Sequence, residues 1–229
     1  MLLSRRSTLL LPLCLLAGSA YSLSLSDLSN QDASGALKAA LNQGALAAVS
    51  GLGVENGFLN NDKVRIPLPK ILEQVRPLLK MTGKGQQLDD LVLQMNHAAE
   101  AAVPLAKPLL LDAVKSMTVT DAKNILTGGD TSVTEFFRSK TSTKLAQQFL
   151  PIVKKVTDRS DLASKYNNTI ALVPKLGALA KDQSTVEGYV TQRALDGLYT
   201  MIGEEEKAIR ADPLGAGSKL IGKVFGAIK

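Results

Sequence analysis

Hydrophobic residues recur along much of this chain at steps of three and four, which is the spacing of an α-helix that buries one face. The longest such stretch covers residues 86–117. Its apolar positions fall on one helical stripe: Leu88, Leu91, Val92, Met95, Ala99, Ala102, Val103 and Ala106. Leu93 lies on the far side of that stripe, and a helix that is apolar on more than one side is usually central. We therefore expect this stretch to form the centre of the fold.

Prolines interrupt the helical pattern at several points. Pro104 and Pro108 lie inside the central stretch, and Pro151 and Pro174 lie inside later apolar stripes. A proline removes a backbone donor and clashes with the preceding turn of a helix. The central stretch is therefore predicted to kink or to split into two helices in the region of Pro104 and Pro108, and the later helices are predicted to be weakened.

Caps and glycine stops divide the rest of the chain into further helices. The first predicted helix starts at a cap at Asp32 or Ser34, the second covers Lys70–Met81, and a short helix over residues 121–126 follows caps at Thr118 and Thr120. Further helices are predicted to start at a capping box at Ser132, at Thr141 or Ser142, and at Thr185, with one over residues 161–179 before the last. Between the first two helices, the segment GFLNNDKVRIPLP contains turn residues and two prolines that favour an extended chain. This segment is predicted to be an irregular loop.

These local signals agree with one another on the fold class. We find neither strands at regular spacing nor a short repeat in the sequence. The predicted fold is all-α, a single multi-helix bundle-like domain with proline-kinked helices over residues 23–229. Typical helix lengths of about 11–12 residues give roughly eight to ten helices.

The first residues have the layout of a secretory signal. Arg5 and Arg6 precede an apolar run, and small residues follow it near Ala20. Residues 1–22 are therefore predicted to be a signal peptide that is cleaved on export to the periplasm, by either the general secretory or the twin-arginine route. Cleavage would remove Cys14, the only cysteine. No transmembrane span is expected in the mature chain, because no other stretch is long and apolar enough.

Composition narrows the classes of partner. Of the 229 residues, 45% are hydrophobic and 21% charged, as in ordinary globular proteins. The formal charge is +6, but acidic and basic residues are mixed and form no dense Lys/Arg block. We therefore expect no nucleic-acid partner, while a mild attraction to anionic lipid surfaces stays open.

Buried polar groups are the candidate functional residues. Asn96 and Glu100 lie one turn apart on a flank of the central helix. A buried Glu100 needs a long-range arginine or hydroxyl as its partner, and the candidate arginines are Arg138, Arg193 and Arg210. Glu206 and Arg210 have the i,i+4 spacing of a local ion pair. Glu205 shares the apolar face of the last helix and so would also be carried inward. The predicted buried polar or ligand-binding cluster is Asn96, Glu100, Arg138, Glu205, Glu206 and Arg210.

The sequence gives little support for a metal site or for a catalytic nucleophile. His97 is the only histidine, and a chain with one His and no mature Cys cannot assemble the usual nitrogen- and sulfur-rich metal sites. A Ser-His-Asp triad would need His97 and a nucleophile elbow, which the sequence lacks. Residues 128–132 could hold an anion at a helix start, but a glycine stop followed by a cap explains them more simply. No catalytic residue, metal site or cofactor is predicted.

Three separated blocks resemble the DUF4197 family, whose members are bacterial exported proteins of unknown function. The blocks are GFLNNDKVRIPLP, MNHAAEAAVPLAKPLLLDAVKSMTVTDAKNILTGGDTSVTEFFRSKT and YVTQRALDGLYTMIGEEEKAIRADP. The resemblance covers nearly all of the mature chain. It implies an α-helical, periplasm-facing protein, and it implies no activity.

Two functional hypotheses follow. The first is an exported, non-catalytic binding or interaction protein for an apolar ligand or an envelope component, since an Ala/Leu-rich bundle broken by prolines can leave a cavity. The second, less favoured, is a hydrolase that uses Glu100 and the carboxylates of residues 204–206 as acid and base. A structure separates them: carboxylates paired in a cleft open to water favour catalysis, and carboxylates saturated by partners favour a structural role.

Overall fold

A computed structural model describes residues 30–83, 85–159, 163–164, 167 and 185–212. Within these ranges the chain forms seven α-helices and no strand, so the all-α prediction is confirmed. The helices are α1 (Asn30–Leu52), α2 (Lys70–Met81), α3 (Gly85–Ala102), α4 (Ala106–Lys115), α5 (Val119–Thr127), α6 (Ser132–Thr157) and α7 (Val186–Ala211). A 3-10 turn at Val103–Leu105 joins α3 to α4.

The core lies where α3, α6 and α7 meet, with α1 packed against α7 and α4. The largest side chains in it are Tyr199, Phe58, Phe137 and Phe149, all without solvent exposure. Burying a side chain of this kind contributes roughly 1.5–3 kcal/mol, so these contacts dominate the stability of the fold. The stripe predicted for the central stretch is buried, whereas Leu93 on its far side is 39% exposed.

The central stretch splits in two at the 3-10 turn, which contains Pro104. Pro77 and Pro151 instead lie inside the continuous helices α2 and α6. That Pro151 weakens or kinks α6 stays a prediction. The break expected at Thr141 is wrong, because α6 runs through it and the buried Thr141 hydroxyl donates to the Phe137 carbonyl one turn back.

The caps predicted for α5 and α7 are confirmed, and those predicted for α1 and α6 are wrong. Thr118 closes a capping box at the start of α5, and the Thr185 hydroxyl caps α7 by accepting from the Gly188 amide. The box expected at Ser132 is wrong, since its hydroxyl donates to the Ile125 carbonyl instead. The cap expected at Asp32 or Ser34 is also wrong, because α1 is already helical from its first described residue.

Several predictions fall outside the described residues. They concern the signal peptide and most of the helix over residues 161–179. Among the described helices, none combines the length and the apolar character that crossing a membrane requires.

Candidate functional site

The most elaborate feature of the described chain is the loop of residues 53–69, which joins α1 to α2 as a series of turns followed by an extended stretch. Connections longer than about 12–15 residues without secondary structure are uncommon and are usually either functional loops or disordered linkers. Gly57 ends the first of these turns, where its amide donates to the Val54 carbonyl. No other residue fits there, because an added Cβ would lie 2.6 Å from the Gly51 carbonyl oxygen. The loop therefore has a defined path close to the backbone of α1.

Glu100 of α3 holds the first part of this loop. Its side chain is only 6% exposed, and its carboxylate accepts three backbone N–H groups. The Phe58 and Leu59 amides donate to Oε1 at 3.0 and 3.2 Å, and the Asn56 amide donates to Oε2 at 3.1 Å. Hydrogen bonds to an ionised acceptor are roughly twice as strong as neutral ones. The carboxylate thus organises a turn whose amides would otherwise lack acceptors.

Asn96, one turn earlier on α3, holds the second part of the loop. Its Oδ1 accepts from the Ile66 amide at 2.9 Å, and its Nδ2 donates to the Ile66 carbonyl at 3.0 Å and to the Val92 carbonyl at 2.8 Å. The amide group pairs with Ile66 much as a neighbouring strand would. We call Asn96 and Glu100, with the loop backbone groups they bind, the loop clasp.

Helix α7 supports the clasp from a second side. The fully buried Phe58 ring packs against Gly197, where an added Cβ would lie 2.6 Å from the ring carbon Cε1. The Tyr189 hydroxyl donates to the Pro67 carbonyl at 3.1 Å. Two helices and one buried aromatic ring therefore determine the position of the loop.

The outer side of the loop carries mixed chemistry. Val54 is 55% exposed, and the exposed polar residues are Glu55, Asn60, Asp62, Lys63 and Arg65. Lys63 forms an ion pair with Glu204 of α7, which connects this outer side to the helix as well. The surface offers both charge signs and one aliphatic side chain on a fixed backbone.

Arg210 and Glu206 form a second buried polar site. The Arg210 guanidinium donates to Glu206 Oε1 at 3.0 and 2.8 Å, so the predicted i,i+4 ion pair is confirmed. The same guanidinium donates to the Ile125 carbonyl and to the Ser132 hydroxyl. This arginine therefore ties α7 to the end of α5 and the start of α6.

Glu206 is only half satisfied. It is 5% exposed, and no described group makes a hydrogen bond of good geometry with its Oε2. A cavity of about 20 Å³ lies beside it, lined otherwise by aliphatic residues and glycine from α1, α6 and α7. Burial raises the pKa of Glu206 more than the hydrogen bond and charge of Arg210 and the backbone amide of Val133 together lower it. Glu205, predicted to face inward, is half-buried, so the inward-facing carboxylate lies one residue later than expected.

Arg138 belongs to a third site. It forms an ion pair with Asp196 at 3.1 Å, and its guanidinium carbon lies 4.7 Å from the centre of the Tyr199 ring. The Tyr199 hydroxyl lies 2.9 Å from the Thr141 hydroxyl, and burial raises the pKa of Tyr199 more than that hydrogen bond lowers it. These contacts connect α6 and α7 across the core.

The predicted polar cluster is therefore three separate sites. The prediction that an arginine meets Glu100 is wrong: Arg138 pairs with Asp196, Arg210 pairs with Glu206, and Arg193 lies over the Tyr189 ring. Three backbone amides already satisfy the Glu100 carboxylate. The irregular loop was readable from the sequence, and its unpaired amides were the signal that could have identified this partner.

A further buried carboxylate, Glu187 in the first turn of α7, was missed. It accepts from Nδ2 of Asn167 at 3.0 Å and lies 3.3 Å from the Thr157 hydroxyl. Polar residues in the first turn of a helix are ordinary on the surface. Only packing against α6 reveals this one as buried.

Metal chemistry has no candidate centre in the described part of the chain, where no three His, Cys, Asp or Glu side chains are grouped to hold an ion. His97 Nε2 lies 3.9 Å from Glu100 Oε2, and the ring is partly exposed, as expected for a helix-surface histidine. The imidazole therefore lies beside the loop clasp without being one of its hydrogen-bonding groups.

The helical fold and the loop clasp describe an all-α protein whose longest described loop is fixed by buried polar side chains. The family described as a protein of unknown function (DUF4197) matches residues 27–226, which is most of the chain. The chain belongs to the DUF4197 family. No curated protein and no solved structure matches it.

Proposed function

We propose that this protein is an exported, non-catalytic binding protein whose recognition surface is the outer side of the 53–69 loop. The observation that supports this is the loop clasp. Two buried side chains of α3, Asn96 and Glu100, make their long-range hydrogen bonds to the backbone of a surface loop. Loops that a rigid scaffold positions are where binding residues concentrate.

Rigidity is the property that the clasp adds to this surface. A loop that is ordered before binding loses less conformational entropy when a partner docks, and so retains more of its contact energy as affinity. The clasp, Phe58 and the Tyr189 hydroxyl all bind the inner side of the loop and leave the outer side accessible. The arrangement suits recognition by a preformed surface.

The chemistry of the outer side favours a protein component of the cell envelope as partner. Exposed Glu55, Asp62 and Arg65 offer both charge signs, and Val54 offers an aliphatic contact. Protein interfaces combine such groups, with polar residues around an apolar centre. An acidic or basic polymer would instead require a surface of one sign.

Binding of an apolar small molecule is less well supported. Ligand pockets usually measure about 300–1,000 Å³ and are mostly apolar. The cavity beside Glu206 is about 20 Å³, enough for one water molecule. A groove of about 310 Å³ between α5 and α6 is large enough, but it is lined mainly by polar side chains, including Asp121 and Glu135.

The structure supports the hydrolase alternative less well, because the carboxylates suggested as acid and base make structural contacts. Both Glu100 oxygens accept backbone amides, Glu206 pairs with Arg210, and Glu204 pairs with Lys63 and Lys207. A general acid or base has to reach the proton that it transfers. The contacts of these carboxylates fit anchoring better than proton transfer.

Site-specific photocrosslinking in the producing cell tests the binding role. A photoreactive residue at Val54, on the outer side of the loop, should give one discrete crosslinked protein. The matched control is Gln147, an exposed position on α6. Equal crosslinking patterns from the two positions, or none from Val54, would contradict the proposal.

Export has its own test. The signal pattern of residues 1–22 and the family resemblance support it. Intact-mass analysis of protein from the periplasmic fraction should show a chain that lacks these residues. A full-length species in that fraction, still containing Cys14, would refute cleavage.

A further inference from the structure

Asn56 and Gly57 form the first turn of the loop under the clasp. Asn56 has a positive φ of 62°, the left-handed conformation that Asn tolerates better than most residues. Its successor is a glycine, whose backbone nitrogen is unhindered by a side chain. In a flexible chain, this nitrogen can attack the side-chain carbonyl carbon of the preceding asparagine. An Asn–Gly pair is therefore chemically the most reactive dipeptide in the loop.

The folded loop opposes this attack in three ways. The Asn56 amide donates to Glu100 Oε2 at 3.1 Å, which fixes the backbone of the reacting residue. The Gly57 amide, whose nitrogen is the nucleophile, donates to the Val54 carbonyl at 3.0 Å. The carbonyl oxygens of Gly51 and Leu52 crowd the Gly57 Cα, since an added Cβ would lie 2.6 and 2.7 Å from them. The peptide unit has little room to turn toward the side chain.

We propose that Asn56 is a site of spontaneous deamidation that the loop clasp keeps closed. In the reaction, the deprotonated Gly57 nitrogen bonds to Cγ of Asn56, and the amide nitrogen of Asn56 leaves as ammonia. Water then opens the resulting five-membered imide at one of its two carbonyls and leaves either aspartate or isoaspartate at position 56. No oxidant or reductant takes part.

The modification would be irreversible and would weaken the clasp. A new carboxylate at position 56 lies close to that of Glu100, and like charges at short range repel. Isoaspartate also adds one atom to the backbone and so displaces the Phe58 and Leu59 amides from Glu100. Deamidation at this position therefore converts a transient opening of the loop into a lasting one. This inference rests on the loop geometry and is independent of the proposed binding role.

The same loop contains a built-in comparison. Asn60 is followed by Asn61, and Asn61 by Asp62, so both potential nucleophilic nitrogens carry neighbouring side chains. Asn61 Oδ1 also accepts from the Lys63 amide at 3.1 Å. Both positions should stay unmodified under conditions in which an opened Asn56 reacts.

The experiment measures conversion of Asn56 in the full-length chain at mildly alkaline pH by peptide mapping and mass spectrometry. Folded wild-type protein should react at least about tenfold more slowly than the same chain unfolded in urea, because reaction requires loop opening. Equal rates in the two states would overturn the proposal without relying on any variant.

Two variants then test the clasp itself. Glu100→Gln should raise the rate in chains that circular dichroism shows to be folded, whereas Glu55→Gln, a change in the same loop, should leave it at the wild-type value. If folded Glu100→Gln reacts at the wild-type rate, the clasp does not protect Asn56. If Glu100→Gln does not fold, partial opening of wild-type protein in low urea gives the same readout, and an unchanged rate there contradicts the proposal.

Discussion

Glu100 and Glu206 are both carboxylates on long helices, almost equally buried, yet their surroundings differ in kind. Glu100 meets three backbone amides of one loop, so both of its oxygens are used. Glu206 meets one arginine on its own helix through Oε1, and the Val133 amide at the start of α6 also lowers its pKa, but its Oε2 has no hydrogen-bond partner of good geometry among the described residues. Burial by itself therefore does not say whether a charge is well accommodated.

The difference follows from the donors that each carboxylate accepts and from the other partners that those donors have. The loop amides would have lost their water on folding, and Glu100 supplies the acceptor that they need. Glu206 stabilises Arg210, whose guanidinium also binds the Ile125 carbonyl and the Ser132 hydroxyl and so keeps other partners. Removal of the carboxylate charge should therefore be costly at Glu100 and mild at Glu206.

The largest expected effect is that of Glu100→Gln. The substituted amide group would point a donor at one of the loop amides, so buried N–H groups would lose their acceptor. We expect a loss of about 3 kcal/mol in the free energy of unfolding, measured by urea denaturation. His97→Ala, one turn away, is the control and should change it by less than about 1 kcal/mol. A Glu100→Gln denaturation curve that overlays the wild-type curve would show that the loop clasp contributes no measurable stability.

Asn96→Ala should come next. It leaves the Ile66 amide and carbonyl without their partner while Glu100 still holds the first part of the loop. A loss of about 2 kcal/mol is expected from the same denaturation measurement. Asn60→Ala, an exposed change in the same loop, should be close to neutral. If the two variants are equally stable, the pairing of Asn96 with Ile66 contributes nothing measurable.

Gly197→Ala tests the packing beneath the loop. The new methyl group would overlap the Phe58 ring, and overpacking of this kind costs about 1–3 kcal/mol. Gly35 is an exposed position of α1, where an added Cβ meets nothing within 4 Å. Gly35→Ala should therefore stabilise the protein by roughly 0.5–1 kcal/mol through helix propensity. Thermal unfolding of the pair checks both signs, and a stabilised Gly197→Ala would show that the ring moves aside freely.

The smallest effect, and the one that defines Glu206, is a difference in pH dependence. Burial raises the pKa of Glu206 above the ordinary value of 4.5. The folded state therefore keeps the proton to a higher pH than the unfolded chain does. The stability contributed by the protonated carboxyl is full below the unfolded pKa and is lost as the pH rises through the folded pKa.

Glu206→Gln should remove this slope, so the variant gains on wild type as the pH is raised from acid to neutral. Glu204 provides the opposite case, since the Lys63 and Lys207 hydrogen bonds lower its pKa. Relative to wild type, Glu204→Gln should therefore become less stable as the pH rises from the lowered folded pKa of Glu204 to its unfolded pKa. Urea denaturation at a series of pH values measures both, and slopes of the same sign would contradict the comparison.

Much of the fold was readable from local signals. The stripe of α3, the bounds of α2 and the Thr185 cap of α7 depend on residues within one or two turns, and all were predicted. Glu205 shows the limit of this reading, because it was placed on the inward face of α7 and is only half-buried, whereas the next residue, Glu206, is buried. A helical face drifts along a long helix, so a stripe extrapolated over several turns can be wrong by one position.

Of the candidate site, the sequence predicted the two buried polar residues but not the groups that they bind. Asn96 and Glu100 were identified from their place on an apolar helix, because a buried polar group always needs a partner. The partner of Glu100 was wrongly expected to be an arginine, because side-chain charge is read directly from a sequence, whereas the loop amides that need an acceptor have to be inferred from the irregularity of the loop. The loop that supplies those amides was itself predicted to be irregular, but its position over α3 was not.

The sequence alone determined most of the helical segments, the apolar faces that they bury and the burial of Asn96 and Glu100, because these depend on periodicity and on neighbours in the chain. The tertiary structure decided which partners those polar residues meet. Glu100 and the Phe58 amide are separated by 42 positions, and Asn96 and Ile66 by 30, so only the packing of α3 against the loop brings them together. Hydrogen bonds need distances near 3 Å and good angles, and no local rule of sequence specifies such geometry across that separation.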